Sequence, residues 1–212
     1  MVYRAQRVRE YDNFINGFVL DSMITGVEIS RKIVHLSSLS IPIGYALTSK
    51  ETALTILIPL TMGFLGVDLL RRFHPGTASL FKKYLIGKVL REKETNTLMG
   101  STYFLISTVL IILLFPMSIA VVSLLILILS DTCAALVGKG IGRVPIWGKT
   151  LEGSLAFLIS ALLIVWIYPG LEKLSGSLAA LGATLIELLP VPLDDNLTIP
   201  FVAAGIIFFA GG

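Results

Sequence analysis

Between Phe104 and Leu129 the chain carries no charged residue at all, and a tight break at Phe115-Pro116-Met117 is the one interruption in this apolar run. A hydrocarbon layer about 30 Å thick takes about 20 apolar helical residues, so the run is long enough for two crossings. Proline removes a backbone donor and disfavours helix in the residue before it, so a tight helical hairpin is expected there. The rest of the composition agrees. Of 212 residues 55% are hydrophobic and 15% charged, against roughly 25% charged in an ordinary soluble domain, and the mean hydropathy is +0.86. The expected fold class is all-α, a polytopic membrane helical bundle.

Seven apolar segments meet the length criterion, with allowance for thinning and snorkelling: 33–49, 51–70, 97–115, 117–137, 151–169, 174–189 and 197–210. The N-terminal stretch lacks the uninterrupted apolar core of a signal peptide. Within it Phe14, Ile15, Phe18, Val19, Met23, Ile24 and Val27 recur at helical spacing opposite Asn13, Asn16 and Thr25, which predicts an amphipathic helix at the membrane interface. The organisation read from this is an N-terminal amphipathic helix over 1–30 and a single membrane domain over 31–212.

The 17 lysines and arginines fix an orientation. Arg4, Arg7, Arg9, Arg31 and Lys32 precede the first segment, seven basic residues fall within 71–93, and Lys139, Arg143 and Lys149 follow the fourth segment. With seven crossings all of these lie on one side, leaving Lys50 and Lys173 on the other, so the N-terminus and the basic loops are expected to be cytoplasmic. The basic excess then reports orientation, and no nucleic-acid partner is needed to explain it. The lone Cys133 allows neither an intrachain disulfide nor a cysteine metal cluster.

A carboxylate inside an apolar helix costs about 2.5–3.5 kcal/mol on insertion scales and asks for a function. Three qualify: Asp68, Glu187 and above all Asp131, which ends the run Leu124-Leu-Ile-Leu-Ile-Leu-Ser130. The bland alternatives are interfacial placement for Asp68 and Glu187, and pairing with a basic neighbour for Asp131. After Asp131 comes Gly138-Lys-Gly-Ile-Gly-Arg-Val-Pro-Ile-Trp-Gly-Lys-Thr-Leu-Glu-Gly-Ser154. Its glycines admit close backbone approach while Lys139, Arg143 and Lys149 supply charge for phosphate oxygens, as in a phosphate cradle, although neither the Walker A nor the dinucleotide spacing is present. A flexible basic loop would not need Glu152 entering the next helix beside Lys149. Asp194-Asp195-Asn196 offers hard oxygen ligands suited to Mg²⁺, or an ordinary turn. Arg31 and His35 share a helical face at i, i+4, and Asp68 and Arg71 can pair at i, i+3.

These residues resemble the dolichol kinase and phytol kinase family. The likeness is carried by Arg31-Lys32-x-x-His35, Asp68-x-x-Arg71, Glu94 before Gly100-Ser-Thr-Tyr-Phe, Ser130-Asp131-x-x-Ala-Ala-x-Val-Gly-Lys139, Gly148-Lys-Thr-Leu-Glu-Gly-Ser154 and Glu187 followed by Asp194-Asp-Asn-Leu-Thr-Ile-Pro200. It covers residues 31 to 201. Family members start the aspartate motif with Gly-Asp where this chain has Ser130-Asp131. The resemblance implies CTP-dependent phosphorylation of a long-chain lipid alcohol (polyprenol, dolichol, phytol-like prenol or diacylglycerol) with a divalent cation such as Mg²⁺. Carried onto this chain, it implies that Asp131, Asp194, Asp195 and Asn196 hold metal. Arg31, Lys32, Arg71, Gly138, Lys139, Arg143, Thr150 and Gly153 would hold the nucleotide phosphates. Lys149, Glu152, Glu187 and His35 would join Asp131 in catalysis, with Asp68 and Glu94 accessory. The wider superfamily includes CDP-lipid synthases, which share the Ser-Asp and Lys-Thr-x-Glu-Gly elements, so a cytidylyltransferase is the nearest rival. A transporter is the rival of another class, but it expects charges at the midplane or on both sides.

Overall fold

The computed structural model describes residues 26–73 and 97–211, with side chains from Arg31 onward. The expected amphipathic helix up to residue 25 and Glu94 lie outside the described residues. So does most of the basic stretch 71–93.

The described chain is almost wholly helical, as expected. The helices are α1 (Gly26–Ser37), α2 (Ser40–Ala46), α3 (Lys50–Phe73), α4 (Gly100–Leu114), α5 (Met117–Leu125), α6 (Asp131–Ile141), α7 (Leu151–Ile167), α8 (Lys173–Leu188) and α9 (Asp195–Ala210). A single π turn, Ile126–Ser130, joins α5 to α6, and a two-strand hairpin, β1 (Pro145–Ile146) with β2 (Lys149–Thr150), separates α6 from α7.

Two differences from the sequence expectation matter. No helix starts at residue 33: α1 runs through that position to Ser37 and α2 follows after a short turn, so the first apolar segment is two short helices. Among the described residues, Lys50–Phe73 and the continuous Met117–Ile141 are both long and apolar enough to cross a membrane, while Gly100–Leu114, Leu151–Ile167 and Asp195–Ala210 are shorter apolar helices. The break at Pro116 is present: α4 stops at Leu114, the Phe115 amide closes on Ile111, and α5 starts at Met117.

The core is built on α5 and the π turn, where Val122, Leu124, Ile126, Leu127 and Ile128 are wholly buried with Ile111, Ile112, Phe157 and Ile199. Helices α8 and α9 meet through Ala179, Ala180, Ala183, Ala203 and Ala204. A Cβ at Gly182 would come within 2.3 Å of Ile206. Small residues permit this close approach where water supplies no drive for helix association. Outward faces are apolar: Leu155, Ile159, Leu163 and Trp166 form a stripe on α7, and Leu174, Leu178, Leu181 and Leu185 another on α8. Exposed apolar stripes of this extent fit a lipid environment and not water.

Lys50 and Lys173, the two lysines set apart by the charge pattern, each cap a helix end. Lys50 donates to the Leu113 carbonyl at the end of α4 at 2.9 Å, and Lys173 donates to Val165, Trp166 and Tyr168 at the end of α7 at 2.9–3.3 Å. Both satisfy carbonyls that have no intrahelical partner.

Candidate active site

The ends of α7, α8 and α9 converge beside α6 and α1, and the ionisable residues of the sequence motifs collect there. Two clusters form. In the first, Lys32 on α1 points its ammonium at Asp131, 2.5 Å from Oδ2 and 3.2 Å from the backbone carbonyl. His35, one turn on, places Nε2 3.6 Å from the same Oδ2. This is too long for a hydrogen bond, and Nε2 is buried with no partner among the described residues. The π turn fits this arrangement. By adding a residue to the turn before Asp131, it disturbs the regular carbonyl ladder there.

In the second cluster Lys149 of β2 donates to the Glu187 carbonyl, lies 3.0 Å from the Glu187 carboxylate, and reaches Asp195 Oδ2 at 3.3 Å. Ser154 on α7 donates to the other Glu187 oxygen at 3.1 Å. Sequence reasoning gave Ser154 no role, although it sits in the motif. Asp195 precedes the apolar stretch 197–210 and joins the two clusters. Burial pushes its carboxyl up, Lys149 opposes that, and the negative charge of Asp131 adds to it.

The glycine-rich segment folds more tightly than an open cradle. The chain continues as helix through Ile141, then turns at Trp147-Gly148, both with positive φ (46° and 81°), as a two-residue hairpin requires. Thr150 caps α7 by accepting the Gly153 amide proton at 3.1 Å. Around its side chain the three glycines close up. A Cβ at Gly138 or Gly142 would come within 2.8 Å of Thr150 Oγ1, and one at Gly153 within 2.9 Å of both that oxygen and the Ala134 carbonyl. These glycines serve the contact between α6 and α7, while a Cβ at Gly140 would meet nothing.

The other sequence candidates divide. Glu152 is half-buried and accepts the Val144 amide proton at 3.2 Å, so it ties the hairpin to α7; the carboxylate holding Lys149 is Glu187. Asp194 caps α9, accepting from the Asn196 amide and side chain at 3.0 and 2.8 Å. That leaves Asp131 and Asp195, beside the Lys149-bound Glu187, as the carboxylates of the two clusters. Among the described residues no group of three or more His, Cys, Asp or Glu is placed to hold a metal ion. Asp131 and Asp195 nevertheless fit Mg²⁺, which takes one or two protein carboxylates and completes its shell from substrate phosphates and water.

Arg31 precedes Lys32 on α1, Lys139 lies half-buried in the last turn of α6, and Arg143 is exposed beside the hairpin. Asp68 and Arg71 are elsewhere. Asp68, 1% exposed, accepts from Arg71 at 2.8 Å, from the Met99 amide at 2.8 Å and from Thr102 at 2.6 Å, and Arg71 also donates to the Thr97 carbonyl. This node pins the end of α3 to the start of α4.

Comparison with known proteins agrees with the chemistry of these clusters. The chain is 30% identical over 207 residues to CTP-dependent diacylglycerol kinase 1 of Schizosaccharomyces pombe, spanning 85% of this chain and 92% of that one. It is 26% identical over 212 residues to the Saccharomyces cerevisiae protein of the same name, spanning 85% and 72%. An uncharacterised protein of Rickettsia prowazekii is 32% identical over 183 residues, spanning 82% and 89%. No family model and no solved structure matches the chain.

Proposed function

The chain belongs to the CTP-dependent lipid kinases, membrane enzymes that transfer a phosphoryl group from CTP to an alcohol, and from that premise we propose that its acceptor is diacylglycerol, phosphorylated at the cytoplasmic face of a membrane it crosses several times. The supporting observation is the pair of clusters Lys32–Asp131 and Lys149–Glu187–Asp195, near enough that the charge of Asp131 bears on Asp195. Asp131 is the first residue of α6, about 15 Å of helix from that helix's other end at Ile141. At that depth a nucleotide would arrive from water and a lipid hydroxyl from the bilayer. The relatives' names favour diacylglycerol over the polyprenol, dolichol and phytol-like acceptors that the motifs also allow.

Phosphoryl transfer asks the protein for positioning and charge neutralisation more than covalent chemistry. Lys32 and Lys149 are each held against a carboxylate, so that each ammonium would meet the phosphate oxygens of the entering nucleotide already in position. Glu187, fixed by Ser154, keeps Lys149 directed into the site. Asp131 and Asp195 would hold Mg²⁺, which when bound neutralises charge on the transferring phosphates. His35 Nε2, buried without a partner among the described residues and 3.6 Å from Asp131 Oδ2, would be the acceptor offered to a hydroxyl of the lipid.

The test is incubation of purified protein with Mg²⁺, γ-labelled CTP and, separately, diacylglycerol, polyprenol, dolichol or phytol. Labelled phosphatidic acid with CDP is expected. Label in a prenyl phosphate alone would overturn the acceptor, and pyrophosphate release would instead mark a cytidylyltransferase.

A further inference from the structure

Trp147 occupies the first turn position of the β1–β2 hairpin with φ of 46°, a left-handed conformation that glycine, asparagine and aspartate adopt and bulky side chains avoid. Strain of this kind persists where something else over-determines it. Packing within the chain does not, because the indole is 64% exposed. The two-residue turn sets the positive φ at both positions, but glycine or asparagine would meet that demand at less cost, so the turn does not account for a tryptophan there. The neighbouring side chains share this exposure. Ile141 and Val144 are exposed apolar residues before the hairpin, and the exposed Arg143 lies between them. The tip is thus an apolar cluster with a cationic rim.

Its place in the fold points to an occupant. The chain has two tryptophans, and they bracket α7: Trp147 stands four residues before it and Trp166 in its last turn, exposed like Trp147. Helix α7 is about 25 Å long and carries an outward apolar stripe between them. Tryptophans at both ends of an apolar helix, each with an exposed ring, match the aromatic belts at the two membrane–water interfaces, and arginine beside one of them favours anionic headgroups.

We propose that the hairpin tip Ile141–Trp147 is a membrane-surface anchor, with the Trp147 indole seated among phospholipid headgroups, and that this seating positions Lys149. A single residue, Gly148, separates the anchor from β2, whose Lys149 holds Glu187 and Asp195 and whose Thr150 caps α7. Docking the tip on the bilayer therefore fixes the segment that carries a site lysine. Trp147 acts as a positioning residue and touches no reacting atom. The inference rests on the membrane reading, and it stands whichever lipid alcohol is the acceptor.

The test uses Trp166→Phe, which leaves Trp147 the sole tryptophan, with the full-length protein in vesicles of phosphatidylcholine carrying about one-fifth phosphatidylserine. Phospholipids brominated near the headgroup should quench Trp147 at least about twofold more than those brominated deep in the acyl chains, and CTP should leave the emission unchanged. Quenching by aqueous iodide with none from brominated lipid would overturn the anchor. So would an emission change that appears only with CTP, which would make the indole a platform for the nucleotide base. Trp147→Gly supplies a second readout, because glycine suits the turn and the variant should keep its thermal stability in detergent. Its kcat in micelles should stay within about twofold while its apparent KM for surface lipid in vesicles rises about threefold or more. An unchanged vesicle KM would overturn the positioning role. Because quenching needs no turnover, its outcome is separate from the fate of the proposed kinase acceptor.

Discussion

Lys149 is bound to Glu187 twice over, donating to its backbone carbonyl while lying 3.0 Å from its carboxylate. The first contact satisfies a carbonyl of the last turn of α8, and the second pairs the ammonium with a carboxylate that is 5% exposed. The cation is therefore fixed by a helix end and by the side chain that the end presents. Side-chain entropy that a free lysine would lose on meeting a phosphate has already been lost in folding. That is the condition for a charge that stabilises transfer without rearranging first.

Lys149→Ala is expected to reduce turnover to background, and to cost about 1–3 kcal/mol of stability by leaving Glu187 buried with Ser154 alone. Lys173→Ala removes a cap from α7 at the opposite end of the helix, costing about 1 kcal/mol, and folded protein should remain active. Turnover per folded molecule, from activity and thermal unfolding on the same preparations, separates the two. Equal specific activities would remove Lys149 from the site.

The glycines of the 138–153 segment separate packing from ligand approach. Gly153→Ala forces a Cβ against the Ala134 carbonyl and Thr150, neither of which can withdraw without moving a helix, and about 1–3 kcal/mol of stability should be lost. Gly140→Ala meets open space inside helix α6 and should be neutral or stabilising by up to about 1 kcal/mol, with activity intact. A Gly140→Ala enzyme that folds normally but no longer binds CTP would restore the open-cradle reading of the segment.

The helical class, the break at Pro116 and most segment boundaries were legible because apolar length and proline chemistry act locally. The residues of the candidate site stood out in the sequence for the same reason: carboxylates and lysines in or beside apolar segments are marked by their cost. Their pairing was not. Lys32 and Asp131 lie 99 residues apart, and no local pattern joins them. The glycine-rich stretch reads as a loop because Trp-Gly lacks the usual turn residues, and the structure shows instead a helix continued to Ile141 and a strained hairpin. The three glycines around Thr150 look like phosphate-binding glycines in sequence, since close approach to a ligand and close approach of two helices both require the absence of a Cβ.

Asp68 makes a structural prediction. It is wholly enclosed by Arg71, the Met99 amide and Thr102, so Asp68→Ala leaves a buried guanidinium and two donors without their acceptor. A loss of about 3–5 kcal/mol is expected, read from chemical or thermal unfolding in detergent. The KM for CTP of the protein that remains folded should change by less than about twofold. A stable variant with a raised KM would place Arg71 on the nucleotide.

The charge pattern predicts that residues 71–96 and 138–150 face the cytoplasm. Ser79→Cys in a Cys133→Ser background should resist a membrane-impermeant maleimide applied to intact cells and react after permeabilisation. Labelling from outside would invert the topology, and the accessible side of the site with it.

Asp131 carries the strongest prediction, because its partners give opposite expectations for structure and for catalysis. It holds Lys32, a cation only 7% exposed, so Asp131→Asn leaves that cation with a neutral acceptor. The carboxylate itself is 28% exposed, which discounts the penalty, and about 1–3 kcal/mol of stability should be lost. Relief from the repulsion of Asp195 offsets part of this. If salt bridging were all that Asp131 did, adding Lys32→Met would repair the variant, since neutralising both partners of a buried pair is often close to neutral. If Asp131 holds metal and nucleotide, the double variant should regain stability and remain inactive, without the thermal shift that Mg²⁺ and CTP produce in the parent enzyme. Lys32→Met alone is the required control, because Lys32 is itself proposed to meet phosphate. It should weaken CTP binding while leaving a Mg²⁺-dependent shift. An Asp131→Asn protein that keeps the ligand-induced shift and near-normal turnover would take this residue out of the mechanism.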